Sequence, residues 1–349
     1  MRFNLIFSEK SDNFIEFFIR AAKKTCFLLF IIIYCNGMQN VFLPTLAQVS
    51  VLVIFIVIGY ILKLTGKVKD GKVLSSLLLW VFLPAVVFKV FSENFTVSKF
   101  GEAKDYLIAG CVVFGVVLGS GYLIACRYSD RMKRNVLWYS FVVTNMSYVG
   151  ITLIDKLLNE YVLYYMVFIM PFQVFVFTAG SAMFKPEKEG ISLKGLLSPV
   201  NIAMVLGMIV GVVFDLCNVQ IPSVISTIVA SASGCMSSAA MLLTGIILAD
   251  QPVKEVFGSV EAYVFTFLRL AVFPALFGGI AYLLQLWLGF SVGIVKMTII
   301  YLALPFGLNS VVFSEAYGGD GSLGAKIGFL SHLFCIITMP LWFMAIDLI

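Results

Sequence analysis

The chain carries very little charge. Of its 349 residues only 12% are charged, 61% are hydrophobic, and the mean hydropathy is +1.02. A soluble chain averages about 25% charged and about 45–50% apolar residues. The composition therefore excludes an ordinary soluble domain and predicts an all-α, multi-pass membrane protein embedded in a lipid bilayer.

The chain also lacks the motifs of common enzymes. It contains no HExxH, GxSxG or Walker sequence and no paired aspartates within an apolar run, so we expect neither an enzyme nor an ATP-driven pump. Its seven cysteines are scattered without metal-ligand spacing, and we expect no metal and no cofactor. The net charge of +5 lies in short loops and gives no reason to expect nucleic-acid binding.

What the chain has is a series of long apolar runs. A spanning helix needs about 20 apolar residues. Ten candidates follow residue 38: 41–62, 73–92, 106–126, 136–154, 161–184, 199–217, 221–249, 261–286, 294–314 and 322–346. Because five fall on each side of a connecting loop at 185–198, the halves 38–184 and 199–349 are predicted to be inverted five-helix repeats.

Lysine and arginine cluster in the loops after odd-numbered spans of the first half, as in Lys63–Lys72 and Arg127–Arg134. Cytoplasmic loops carry such an excess. We therefore expect these loops in the cytoplasm, both ends of the ten-helix unit outside it, and a location in the plasma (inner) membrane.

Residues 1–37 stand outside the repeat pattern. Three interpretations stay open: a signal peptide with a poor cleavage site, an extra helix at about 14–35, and upstream sequence with Met38 as the true start. We expect this extension to be dispensable.

Two spans are interrupted by polar residues at corresponding places. The fourth holds Asn145 and Ser147, and the ninth holds Pro305, Gly307, Asn309 and Ser310. Broken backbone is tolerated in a membrane only where it is buried in protein or lines a cavity. We predict that these six residues form a substrate site at the bilayer midplane, although an asparagine that joins two helices is the structural alternative for each amide.

Five other polar residues and one proline within the spans are candidates for a supporting role: Lys89, Ser237, Ser238, Arg269, His332 and Pro84. Lys89 can instead extend to the outer interface, and His332 suits either proton coupling or a neutral, hydrogen-bonded state. A central arginine is costly in lipid, so Arg269 needs a partner, for which Glu261 is one candidate. Glu315 and Asp320 are predicted to gate the ninth span or to be solvated.

An ordered set of short stretches resembles the auxin efflux carrier family, which belongs to the bile/arsenite/riboflavin transporter superfamily and includes bacterial malate-permease-like carriers. The stretches are Gly59-Tyr60, Leu83-Pro84-Ala85, Asn145 with Gly150, Ser198–Asn201, Thr244–Ala249, Arg269-Leu270 with Pro274, and Leu304-Pro305 through Asn309 to Asp320.

The resemblance covers about 38–349 and implies two inverted five-helix repeats in which the fourth and ninth helices cross at their breaks. It implies substrate at that crossover, with Asn145 and Asn309 as crossover residues. The fourth span departs from the family because it lacks the proline often found there, and the long cytoplasmic loop of plant exporters is absent.

We therefore expect a secondary transporter for a small organic anion such as a carboxylate, working by alternating access. The alternatives are a sodium-coupled symporter of the bile-acid type and a membrane sensor that keeps the carrier fold. The identity of the anion, the direction, coupling to a proton or to sodium, and assembly into a homodimer stay open.

Overall fold

The computed structural model describes residues 39–184, 197–250, 253–307, 309–310, 313 and 322–349. The expected extension 1–37, most of the expected loop 185–198, and both Glu315 and Asp320 lie outside the described residues. Within the described part the fold is all helical, and the only extended pairing is an isolated antiparallel bridge between Thr144 and Phe306.

Thirteen helices are described, some with π-helical turns inside them. They are α1 Gln39–Leu64, α2 Lys72–Asn94, α3 Phe100–Ala125, α4 Arg131–Val142, α5 (the π turn Met146–Gly150 followed by Ile151–Leu157), α6 Asn159–Phe168, α7 Met170–Gly180, α8 Pro199–Cys217, α9 Ser223–Leu248, α10 Val253–Phe257, α11 Val260–Leu288, α12 Val292–Ala303 and α13 Ser322–Asp347.

Local sequence explains several of the helix ends. Asp130 accepts hydrogen bonds from the backbone N–H groups of Met132 and Lys133, which caps the start of α4. Ser198 caps α8, whose first residue is the proline Pro199. Gly289 ends α11 with a positive φ of 68°, a conformation that glycine adopts without steric cost.

Six of these helices are long and apolar enough to cross a membrane: α2, α3, α8, α9, α11 and α13. A seventh span is formed if α6 and α7 count as one, although they bend by 45° where Pro171 opens α7. The length and composition of these helices support a multi-pass membrane protein.

Glycine sets the distance between α1 and α9. A Cβ added at Gly245 of α9 would overlap the backbone carbonyl of Ile56, and one added at Gly59 of α1 would overlap that of Leu242. Such small residues let helix backbones approach closely in lipid. The closest approach therefore lies at Gly245 and not at Gly234, in the serine- and alanine-rich middle of α9, where a Cβ would meet nothing within 4 Å.

We predict that Gly245→Ala destabilises the protein, because two backbones would have to separate. Overpacking of this kind costs about 1–3 kcal/mol. Gly234→Ala on the same helix is the matched control and is expected to be neutral or slightly stabilising. Thermal unfolding of both variants in one detergent checks the difference, and equal melting temperatures would contradict it.

Candidate functional site

The two interrupted segments meet and pair with each other. The N–H of Asn145 donates to the carbonyl of Pro305 at 2.9 Å, and the N–H of Gly307 donates to the carbonyl of Val143 at 3.2 Å. Each break leaves backbone groups without partners in its own helix, and this pairing satisfies four of them. The residues chosen from the sequence as the two interruptions thus form one junction.

Gly307 is required by the closeness of this junction. A Cβ at this position would lie 3.0 Å from the carbonyl oxygen of Thr144 and 3.1 Å from that of Val143. Contacts this short are tighter than nine in ten real Cβ contacts, so the neighbouring backbone would have to move by a few tenths of an ångström to accept a side chain.

Arg269 caps the helices that run into the junction. It is fully buried in a π-helical turn of α11. Its Nη1 donates to the carbonyl of Phe141 at 3.1 Å, its Nη2 to that of Tyr301 at 2.9 Å, and its Nε more weakly to that of Leu304 at 3.4 Å. These carbonyls are at the C-terminal ends of α4 and α12, where the helix dipole is negative and favours a cation.

The expectation that Glu261 is the partner of Arg269 is wrong. Glu261 forms an ion pair with Lys133 at 3.1 Å and a hydrogen bond with the hydroxyl of Tyr128. The pKa of Tyr128 is raised above its usual range, mainly by burial and to a smaller extent by the contact with Glu261. Arg269 is compensated by carbonyl groups because α4 and α12 end beside it, which the spacing along the chain did not reveal.

Two neighbouring residues of α13 support the junction. Ser331 accepts a hydrogen bond from the N–H of Phe306 at 3.1 Å. The ring atom Nε2 of His332 lies 2.8 Å from Nδ2 of Asn145. One turn of α13 therefore serves both breaks, and His332 is buried and hydrogen-bonded.

A cavity of about 120 Å³ lies against the junction. Four of the six predicted binding residues line it: Asn145, Ser147, Gly307 and Asn309. Asn145 is only 5% exposed, whereas Asn309 is half-buried and lies beside the hydroxyl of Tyr139. Pro305 and Ser310 are buried behind the lining, where the hydroxyl of Ser140 donates to that of Ser310 at 3.0 Å.

None of the predicted supporting residues lines this cavity. Pro84, Lys89, Ser237 and Ser238 are half-buried elsewhere on α2 and α9, and Arg269 and His332 lie behind the junction. Arg269 contacts the site through the backbone carbonyls that it binds, and His332 contacts it through the Asn145 amide. No side chain among the described residues that line the cavity is charged, and no group of three metal-ligating side chains is present in the described part of the chain.

Sequence reasoning missed Gln173 of α7. Its side chain is 5% exposed, lines the cavity and makes no hydrogen bond with any described residue. A buried amide without a protein partner costs free energy, which a bound ligand or water can recover. The signal was present, because Gln173 is the only glutamine in the apolar run 161–184. Thr244 of α9 and Thr144 also line the cavity.

Comparison with known protein families identifies the chain's relatives. A family model described as a membrane transport protein matches residues 44–343. No curated protein matches the chain.

We predict that Arg269→Met lowers the free energy of unfolding by roughly 3 kcal/mol or more, because hydrogen bonds to a charged group contribute about 1.5–3 kcal/mol each. Arg269→Lys should be nearly as damaging, since an ammonium group cannot reach three separate carbonyls as the planar guanidinium does. Thermal unfolding in detergent measures both.

The control is Lys296→Met on α12. This change also removes a positive charge, but Lys296 is half-buried and makes no hydrogen bond or ion pair with any described residue. An unfolding temperature for Arg269→Met as high as that of Lys296→Met would refute the capping role.

Proposed function

The chain belongs to the membrane transport protein family, the family of the auxin efflux carriers, and from that premise we propose that it is a secondary transporter of a small organic anion in the plasma membrane. The family consists of transporters and not of enzymes. The amide-lined cavity at the junction is the observation that supports the substrate class.

Three side-chain amides line the cavity, those of Asn145, Gln173 and Asn309. None of the described lining residues is charged. Amide N–H groups bind a carboxylate while adding no fixed charge. Met146 and Ser147, the first residues of α5, line the same cavity, which brings the positive end of a helix dipole to the site. A carrier must release its substrate as well as bind it, and neutral donors favour such moderate affinity.

The size and walls of the cavity fit a compact acid. Its volume of about 120 Å³ is somewhat below the roughly 150 Å³ that accommodates benzene in an engineered cavity. Leu79, Leu83, Val200 and Ile247 supply apolar parts of the same lining. A short-chain carboxylic acid matches a lining that is part amide and part apolar, with its carboxylate placed at the junction.

We extend the proposal to ten spans in two inverted five-helix repeats. In this arrangement the six long helices, the bent pair α6–α7, the helix α1 and the two interrupted spans that contain α4–α5 and α12 would make ten crossings, five on each side of the 185–198 segment. Transport would follow from rocking one bundle against the other around the junction, as in other inverted-repeat carriers. Both ends of the unit would then face away from the cytoplasm.

The bile-acid type of sodium symporter is less well supported. The described residues of the lining include no acidic side chain, so a bound sodium ion would have only neutral oxygen ligands and its charge would be uncompensated. A sensor without transport is distinguished from a carrier by measuring flux.

We predict that Asn145→Ala and Asn309→Ala each lower uptake into proteoliposomes at least about tenfold, because each removes a donor from the site. A panel of radiolabelled monocarboxylates, dicarboxylates and indole acids identifies the substrate first. Asn94→Ala is the matched control, since Asn94 bonds only to the carbonyl of Val90 and lies outside the cavity. Undiminished uptake by both site variants would reject the crossover site.

We also predict that Gln173→Leu raises the KM for the transported acid by roughly tenfold with a smaller change in maximal rate. The amide makes no hydrogen bond with described residues, so its removal affects ligand binding more than folding. Gln285→Leu on α11, outside the cavity, controls for loss of an amide. A KM for Gln173→Leu equal to that of wild type would exclude Gln173 from the site.

A further inference from the structure

His332 is the only histidine of the chain, and it is 3% exposed on α13. Its two ring nitrogens have different partners. Nδ1 lies 2.7 Å from the backbone carbonyl of Gly328, and Nε2 lies 2.8 Å from Nδ2 of Asn145. The imidazole thus joins the backbone of α13 to a residue that lines the cavity.

The carbonyl of Gly328 determines the direction of both hydrogen bonds that the His332 ring makes. A carbonyl oxygen only accepts, so Nδ1 of His332 must carry a proton and donate to Gly328. In a neutral imidazole the other nitrogen, Nε2, is then an acceptor. The group that faces Nε2 must donate, and it is the amide nitrogen of Asn145.

A second, weaker contact agrees with this orientation of the Asn145 amide. The N–H of Val149 donates mainly to the backbone carbonyl of Asn145, at 3.1 Å, and it also lies 3.4 Å from Oδ1. If the amide were reversed, its NH₂ group would face this N–H, and its oxygen would face Nε2.

The surroundings of the imidazole favour its neutral form. A void of about 10 Å³ beside it is lined by apolar side chains of α1, α5, α9 and α13, among them Val49, Ile56, Met241 and Met339, and by no acidic or basic side chain in the described part of the chain other than His332 itself. A charged imidazole would be uncompensated there, and it would also place an N–H against the N–H of Asn145.

We propose that His332 is a positioning residue: its Nε2 holds one N–H of the Asn145 amide, and the second N–H is left to donate to a ligand in the cavity that Asn145 lines, so that the site selects a ligand that accepts. The inference rests on the proposed function, because the ligand it selects is the carboxylate of the transported acid. With the amide reversed, Asn145 would present its oxygen, which suits a cation. The relay from Gly328 through His332 to Asn145 thereby sets the sign of the ligand.

The single histidine permits a direct measurement that does not depend on transport. Solid-state NMR of protein in lipid, labelled with nitrogen-15 only at histidine, reports which ring nitrogen carries the proton. We expect a neutral ring protonated at Nδ1. Asn145→Ala should keep that tautomer and shift the Nε2 resonance, because the donor to Nε2 is lost. A proton on Nε2, in either charge state, would overturn the relay.

Two substitutions separate the ends of the relay. In His332→Gln the amide oxygen replaces Nε2 as acceptor for Asn145, whereas in His332→Asn the shorter amide can reach Gly328 but not Asn145. We expect His332→Gln to keep kcat/KM for uptake within about threefold of wild type. His332→Asn should lose about tenfold, chiefly through a raised KM, as for one lost hydrogen bond.

Cys335→Ala, a buried change one turn further along α13 beside the same void, controls for disturbance of packing. Equal uptake by His332→Asn and wild type would refute the relay, as would equal losses in His332→Asn and His332→Gln with both proteins folded. If neither variant folds, the tautomer measured in wild type decides. If wild type carries none of the acids tested, the proposed function fails while the tautomer still tests the relay.

Discussion

The antiparallel pairing of residues 143–145 with residues 305–307 is the contact on which the rest of the site depends. Two helices stop inside an apolar protein, and each would leave carbonyl and N–H groups that cost several kcal/mol if unpaired. The two breaks form hydrogen bonds with each other, and side chains of Arg269, Tyr301 and Ser331 bond to further backbone groups there. The hydroxyl of Tyr301, for example, donates to the carbonyl of Val142 at 2.6 Å. Each break therefore supplies partners for backbone groups that the other leaves unpaired.

This arrangement separates the positive charge of the site from its cavity. Arg269 is directed at the C-terminal carbonyls of α4 and α12 and does not line the cavity. Its charge is balanced by two helix ends, where a cation is most favourable. The cavity receives the amides of Asn145, Gln173 and Asn309 and the opposite, N-terminal end of α5. A fixed arginine in the cavity would hold an anion tightly, whereas donors without net charge let it leave on either side.

The sequence was sufficient to place the junction but not its supporting contacts. A proline, a glycine and two asparagines inside apolar runs mark the two interruptions, because such residues are costly in an uninterrupted membrane helix. The partner of Arg269 was predicted wrongly, since backbone carbonyls are present at every residue and leave no mark in the sequence. Gln173 was missed for a related reason: one amide in an apolar run fits a structural hydrogen bond as well as a site, and only the fold shows that it has no partner among the described residues.

The two breaks are unequal in origin, and this follows from their sequences. Pro305 has no N–H to donate to the carbonyl of Tyr301, so the helix is weakened at that point by its own sequence. The segment Val143–Asn145 contains no proline, and its residues keep every N–H that a continuous helix would need. It is held open by the hydrogen bonds to Pro305 and Gly307, by Asn145 acting as the cap of α5, and by His332. The interruption of the fourth span therefore depends on contacts with other parts of the chain, because its own sequence does not require a break.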